Sequence, residues 1–315
     1  FRLADNKVAE LATWDLEKLE TELEEITDLD MMEFGFEGEE EEKEETAGGE
    51  ENEYPEKVKS RCKPGDVWIL GRHRLICGDS TDERIVEKLM NGQKADVVFT
   101  DPPYGMNLDT DYSSTKNQLD FAKGQNLNAG KKYEQGKVDE FKPEMIKAAM
   151  RLEAKETFLW GADYYAELLE KKNEGSWIVW DKRANGNDNE TEDYQSDKMY
   201  GSCFELCWSK KKHKREIARI KWAGLFGQEQ EFNKKRHHPT QKPARLAEWF
   251  LTKYTEEEQI VVDLFAGSGS TMIACEQLNR TCYMCEIDAN YCDVIIQRWE
   301  DLTKQSARRE RKKRG

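Results

Sequence analysis

Apolar residues are scarce in this chain. The hydrophobic set makes up 37% of 315 residues, against 36% charged, below the roughly 45–50% usual in globular domains, a value that also counts Gly. No apolar run approaches the roughly 20 residues that cross a bilayer, so a membrane-spanning helix is excluded. The start, Phe1-Arg2-Leu3-Ala4-Asp5, has no initiator Met and no charged segment leading into an apolar one. The expectation is a fragment or processed chain that is not secreted. Eight Cys are too dilute for a disulfide scaffold and fit a reducing, cytoplasmic compartment. There is no internal repeat.

The formal net charge of −15 is unevenly distributed. Residues 1–56 hold 22 acids and 4 bases; the remaining residues hold 42 acids and 45 bases. The acidity therefore belongs to one end. There, Leu11, Trp14, Leu16, Leu19, Leu23 and Ile26 recur at helical spacing. They precede a Glu-rich run, residues 37–45, and Gly48-Gly49. Like charges with glycines cannot bury apolar surface, so this run reads as a solvated linker. Three spans follow: an acidic helical segment and linker, 1–57; a large domain, 58–305; and a basic tail, 306–315, expected to be disordered.

From residue 58 short apolar runs alternate with amphipathic stretches. Residues 67–70, 74–77, 97–99, 157–160, 177–180, 204–208 and 260–265 read as strands, and 83–90, 143–152, 163–171, 244–254, 270–278 and 291–303 as helices. Continuous apolar strands alternating with helices predict an α/β domain, a mostly parallel twisted sheet with helices on both faces. Such sheets bind ligands beyond the carboxyl ends of their strands.

One such end is Val261-Val262-Asp263-Leu264-Phe265-Ala266-Gly267-Ser268-Gly269-Ser270-Thr271, a strand, a glycine turn and a helix start. Gly267 and Gly269 allow a sharp turn and close approach of a ligand. The next strand, 281–287, brings Glu286 to the crevice, where an acid accepts hydrogen bonds from ribose hydroxyls. A dinucleotide fingerprint needs Gly or Ala where this chain has Met272. The turn suits S-adenosylmethionine, whose ammonium a carboxylate such as Asp263 can pair.

A second strand end runs into Asp101-Pro102-Pro103-Tyr104. Two prolines remove two donors and stiffen the turn, fixing the Asp101 carboxylate and the Pro102 carbonyl as acceptors. With Tyr104 they form a holder for a planar group bearing an amine, such as an extruded nucleobase stacked on the ring. A plain rigid turn with a packed Tyr is the competing reading.

Together with His238-Pro239-Thr240-Gln241-Lys242-Pro243, these motifs resemble the permuted β-class DNA amino-methyltransferases, in which the catalytic motif precedes the cofactor turn. The resemblance spans roughly residues 62–303. It implies a Rossmann-like S-adenosylmethionine-dependent methyltransferase fold. It assigns Asp101, Pro102, Pro103 and Tyr104 to catalysis. It assigns Asp263, Phe265, Ala266, Gly267, Ser268, Gly269, Ser270, Thr271, Glu286, Asp79, Thr240 and Lys242 to the cofactor. It implies methylation of adenine N6 in double-stranded DNA, because Asp heads the catalytic motif where Ser is more usual for cytosine N4. No metal is required. Residues 2–10 resemble the end of a ParB-like domain, often fused before phage methyltransferases.

Residues 210–236 hold ten bases and three acids with Trp222, Phe226 and Phe232 interleaved, the composition of a phosphate-binding, base-wedging surface. Lys211, Lys212, Lys214, Arg215, Lys234, Lys235 and Arg236 are its candidate DNA contacts. The Gly/Asn/Lys-rich stretch 105–140 is a second candidate recognition loop. Cys282 and Cys285 have zinc-type spacing but lie within a strand, so no metal site is assigned. His213 and His237 read as surface residues. No obligatory protein partner is evident, and a homodimer is left open. A cytosine-N4 or RNA amino-methyltransferase, a nicotinamide-dependent oxidoreductase and a noncatalytic DNA-binding protein remain the alternatives.

Overall fold

The structure, a computed structural model, describes residues 58–104, 141–169, 171–182, 202–220 and 242–310. The acidic segment 1–57, the loop 105–140, most of the basic stretch beyond residue 220, and Thr240 lie outside the described residues.

In chain order the elements are β1 (Val67–Leu70), β2 (His73–Cys77), α1 (Glu83–Met90), β3 (Val97–Thr100), α2 (Pro143–Arg151), β4 (Glu156–Trp160), β5 (Ser176–Asp181), β6 (Phe204–Ser209), β7 (Ile217–Arg219), α3 (Ala244–Tyr254), β8 (Ile260–Asp263), α4 (Ser270–Gln277), β9 (Thr281–Glu286), α5 (Ala289–Thr303) and β10 (Arg308–Arg309). They form one mixed sheet in the order β10-β1-β2-β9-β8-β3-β4-β6-β5-β7. The central run β2-β9-β8-β3-β4 is parallel throughout; β6 is antiparallel to both neighbours.

Helices cover both faces because the central strands are apolar on both. Val97 and Phe99 of β3 join Phe158 and Trp160 of β4 in the core against α3, α4 and α5. Val98 and Leu159, one residue out of phase, join the core against α1 and α2. On the first face Phe250 of α3 lies 5.4 Å from Trp160 and 5.2 Å from Phe99, between ring centroids. Aromatic pairs of this kind contribute about 0.5–1.5 kcal/mol each beyond area burial. They fix α3, and the residues leading into it, against β3 and β4. Cys282 and Cys285 fall into opposite cores, so their side chains do not converge on one ion.

Four expectations are corrected. Residues 163–171 are not an α-helix; among the described ones only Ala166–Leu168 make a 3-10 turn. Tertiary contacts prevail there: Tyr165 is buried, its hydroxyl donating to the Trp160 carbonyl at 2.6 Å. The start of the basic tail is ordered. Arg308–Arg309 pair with β1, and Arg74, buried on β2, meets Glu310 at 3.1 Å. His213 is not a simple surface residue: its Nε2 lies 2.7 Å from the buried Glu156 carboxylate, and its ring lies 4.6 Å from that of Tyr254. Strand β8 also stops at Asp263, because Leu264 and Phe265 turn their amides to the Thr100 hydroxyl and the Asp263 carboxylate.

Candidate active site

The parallel strands end along one edge, and the chemistry gathers there. β3 ends at Thr100 and delivers Asp101. β8 ends at Asp263, β9 at Glu286, and β4 at Trp160 followed by Gly161.

Asp263 joins the first two. Its carboxylate accepts from Thr100 Oγ1 at 2.8 Å, Thr271 Oγ1 at 2.6 Å and the Phe265 amide at 3.1 Å. It is buried, 4% exposed, and burial pushes its pKa up against those hydrogen bonds. Both oxygens are engaged by the protein. The geometry therefore supports a role in holding the glycine turn beside the catalytic loop.

The turn has room for a ligand. Gly267 has a φ of 51°, and a Cβ built on it would meet nothing within 4 Å. Open space over a left-handed glycine lets a ligand reach the backbone. Gly269, at φ 83°, instead faces Ile295, which a Cβ would touch at 2.9 Å. Ala266 and Ser268 are buried, Phe265 half-buried. Ser268 gives its carbonyl to Arg298. Glu286 accepts from the Gly267 and Asp288 amides at 2.7 and 2.8 Å. Burial pushes its pKa up to about 7 in spite of those bonds. Asp79 lies just past the end of β2 and accepts from both the amide and the hydroxyl of Thr81, an Asx-type local turn. The chemical fit to S-adenosylmethionine is good: Glu286 and the Gly267 backbone would hold it, with Phe265 beside it.

Asp101 faces Lys242, which the resemblance assigns to the cofactor. Lys242 Nζ contacts Asp101 Oδ2 and lies 3.1 Å from Glu205 Oε2. Lys182 contacts the other oxygen of Glu205. Asp101 Oδ1 is buried and has no hydrogen-bond partner among the described residues. Burial pushes Asp101 up, and nearby Glu205 adds to this against Lys242. Burial would pull Lys242 down, but the Asp101 and Glu205 carboxylates outweigh it and keep it protonated. Burial would raise Glu205, but Lys242 and Lys182 bring it down to about 2. The Lys242 carbonyl accepts from Ser270 Oγ at 2.8 Å, so one residue links the glycine turn to the catalytic loop.

Tyr104 is fitted closely. A Cβ on Gly161, at φ 63°, would lie 2.4 Å from its ring, so no side chain fits there. Tyr164, 57% exposed, stacks on Tyr104 with centroids 5.0 Å apart and planes within 11°.

Among the described residues, the basic ones at 210–215 are not part of this assembly. β6 runs antiparallel to β4, pairing Ser209 with Phe158, so residues 210–215 emerge at the amino edge. There the Lys211 amide bonds to Glu156, the first residue of β4. Lys211, Lys212, Lys214 and Arg215 thus stand at the edge opposite Asp101, separated by the length of β4, about 16 Å at strand rise. β7 returns parallel to β5 and sets Arg219 beside Asp181. Lys234, Lys235 and Arg236 lie outside the described residues.

Sequence reasoning had missed Glu205, Gly161, Tyr164 and Thr100. Glu205 carried one signal: an acid inside the apolar run Phe204-Glu205-Leu206-Cys207-Trp208.

The family N6_N4_Mtase, described as DNA methylase, matches residues 95–298. Type II methyltransferase M.HpaI of Haemophilus parainfluenzae is 25% identical over 249 residues, 71% of this chain and 73% of that protein. Type II methyltransferase M.HindIII of Haemophilus influenzae is 50% identical over 46 residues, 15% of each chain. The crystal structure of the M1.HpyAVI–SAM complex superposes with a TM-score of 0.44 at 20% identity, covering 71% of this chain and 97% of that one.

Proposed function

This chain belongs to the N6_N4_Mtase family of DNA methylases, and from that premise we propose that it methylates the exocyclic N6 of adenine in an extruded base of double-stranded DNA. It is a DNA amino-methyltransferase, and its methyl donor is S-adenosylmethionine. The N6 assignment is supported by the Asp that heads the catalytic motif. The motif order, 101–104 before 263–271, supports the permuted β-class. The ParB-like remnant at residues 2–10, the division at 57 and 305, and a cytoplasmic location belong to the same proposal. The observation that carries the reading is the buried Asp101 Oδ1, without a partner among the described residues, beside the proline-braced turn and on the edge shared with Gly267.

S-Adenosylmethionine supplies a methyl group on a sulfonium, electrophilic enough to need no covalent enzyme intermediate. The protein's task is the nucleophile. The lone pair of an aromatic amine is delocalised into its ring. Donating its two N–H bonds to Asp101 and the Pro102 carbonyl favours a pyramidal nitrogen with a usable lone pair. Tyr104 orients the base by stacking once Tyr164, which covers its ring here, gives way. The nitrogen–carbon bond forms as the sulfur–carbon bond breaks, and one amine proton leaves to solvent. Positioning and preorganised charge do the work.

The test is methyl transfer from tritiated cofactor to unmethylated duplex DNA, followed by nucleoside analysis. Label in N6-methyladenine is expected. Label in N4-methylcytosine overturns the base assignment, and label in RNA alone overturns the substrate.

Cofactor affinity should depend on pH through Glu286. Its folded pKa of about 7 lies above its ordinary 4.5. The group therefore favours the folded state below about 4.5, an advantage lost as pH rises to about 7. Ribose hydroxyls donate to the ionised form, so binding runs the other way. The dissociation constant should rise by up to about tenfold per pH unit below about 7 and stay flat above. Calorimetry across that range checks this, with Glu286→Gln expected to be flat. A wild-type constant that ignores pH would sink the assignment.

A further inference from the structure

We infer that Lys242 is a positioning residue for the catalytic carboxylate: its ammonium clamps Oδ2 of Asp101 so that Oδ1 is presented to the target amine, and Glu205 sets how much of that ammonium Asp101 receives. The inference rests on the reading of Asp101 as the amine acceptor. The resemblance had given Lys242 to the cofactor; the side chain goes elsewhere.

Lys242 is held from several directions. Its carbonyl is tied to Ser270 at the start of α4. The next residue, Pro243, caps α3, which the Phe250 cluster fixes against β3 and β4. Its Nζ sits 5.2 Å from the centroid of the Trp160 ring, a cation–π contact that resists displacement. Nζ therefore reaches Asp101 from a fixed point.

The two oxygens of Asp101 then differ. Oδ2 contacts the ammonium, and Oδ1 is buried without a partner among the described residues. A buried polar atom left unpaired is costly, and an N–H of the target base would satisfy it. The clamp also opposes the burial that favours the neutral form of the carboxylate. A protonated Asp101 would offer one acceptor fewer to the amine.

Glu205 competes for the same cation at 3.1 Å. Lys182 meets its other oxygen and so leaves a larger share of Lys242 for Asp101. Among the described residues, the remaining titratable groups around Asp101 are Cys207 on β6, Asp263 on β8, Tyr104 in its own loop and Tyr165 after β4. Burial keeps the thiol and both phenols neutral, their pKa values pushed up. Asp263 is tied into its hydrogen-bond cluster. Among the described residues, Lys242 and Glu205 are thus the two largest charges acting on Asp101, with opposite signs, and Asp263 adds a smaller push in the direction of Glu205.

Opposite signs make the test specific. The pH dependence of single-turnover kcat on duplex DNA, and cofactor affinity by calorimetry, are measured for wild type, Lys242→Met, Lys242→Arg, Glu205→Gln and Asp101→Ala. Lys242→Met is expected to move the acidic limb upward by about one pH unit or more and to lower kcat at least about tenfold. Its cofactor affinity should stay within about threefold of wild type. Lys242→Arg should restore the limb, and Glu205→Gln should move it downward. A Lys242→Met limb that coincides with wild type, while Asp101→Ala is inactive, overturns this inference and leaves the reading of Asp101 intact. Loss of cofactor affinity by the same factor as activity also overturns it, making Lys242 a cofactor ligand. Full turnover by Asp101→Ala sinks that reading and this inference together. Should Lys242→Met fail to fold, Glu205→Gln carries the test: an unmoved or upward limb overturns the clamp.

Discussion

Replacing Asp101 with Ala is expected to lower kcat for methyl transfer by about two to three orders of magnitude, the usual loss on deleting a preorganised group at a reacting centre. Cofactor affinity should change by less than about threefold, because the carboxylate contacts Lys242 and not the glycine turn. The loss has two parts. One acceptor of the amine disappears, and Lys242 is left to Glu205, placing an unmatched ammonium where positive charge develops on the nitrogen. Asp101→Asn should retain more activity than Ala, keeping an acceptor oxygen but losing the charge. Single-turnover transfer of tritiated methyl together with calorimetric binding checks both. Wild-type turnover in Asp101→Ala, or equal losses of binding and turnover, would remove Asp101 from the reaction.

The second large effect is on the frame. Asp263→Ala removes the acceptor of Thr100 Oγ1, Thr271 Oγ1 and the Phe265 amide, all within 3.1 Å. Each buried donor left unsatisfied costs about 1–3 kcal/mol. Two or three of them take a large share of a typical total of about 5–15 kcal/mol. Burial of the charge offsets part of this, since the carboxylate is itself held at a raised pKa. The expected result is a clear fall in the urea midpoint and loss of cofactor binding, as the turn after β8 comes loose from β3. Asp263→Asn should fall between Ala and wild type. An Asp263→Ala protein with the wild-type midpoint and affinity would mean that the cluster holds nothing.

The two prolines after Asp101 and the glycines after Asp263 were legible in the sequence because backbone stereochemistry restricts them locally. The helix read at 163–171 failed for the opposite reason. Its pattern was acceptable locally, but Tyr165 is used to close the end of β4, and Gly161 must accept the Tyr104 ring against its Cα. The place of the basic residues 210–215 depended on strand direction. Composition shows that residues 210–215 are cationic but not that β6 runs antiparallel to β4, and that reversal carries them to the far edge.

The alternation of apolar strands and helices, the rigid acceptor turn at 101–104 and the open glycine turn at 267 follow from the sequence by itself. Each depends on contacts a few residues apart. The meeting of Asp101, Lys242, Glu205 and Lys182 was decided only by the tertiary structure. Those four charges come from four separate stretches of chain, and an ion pair carries no trace of its partner in either residue's neighbours.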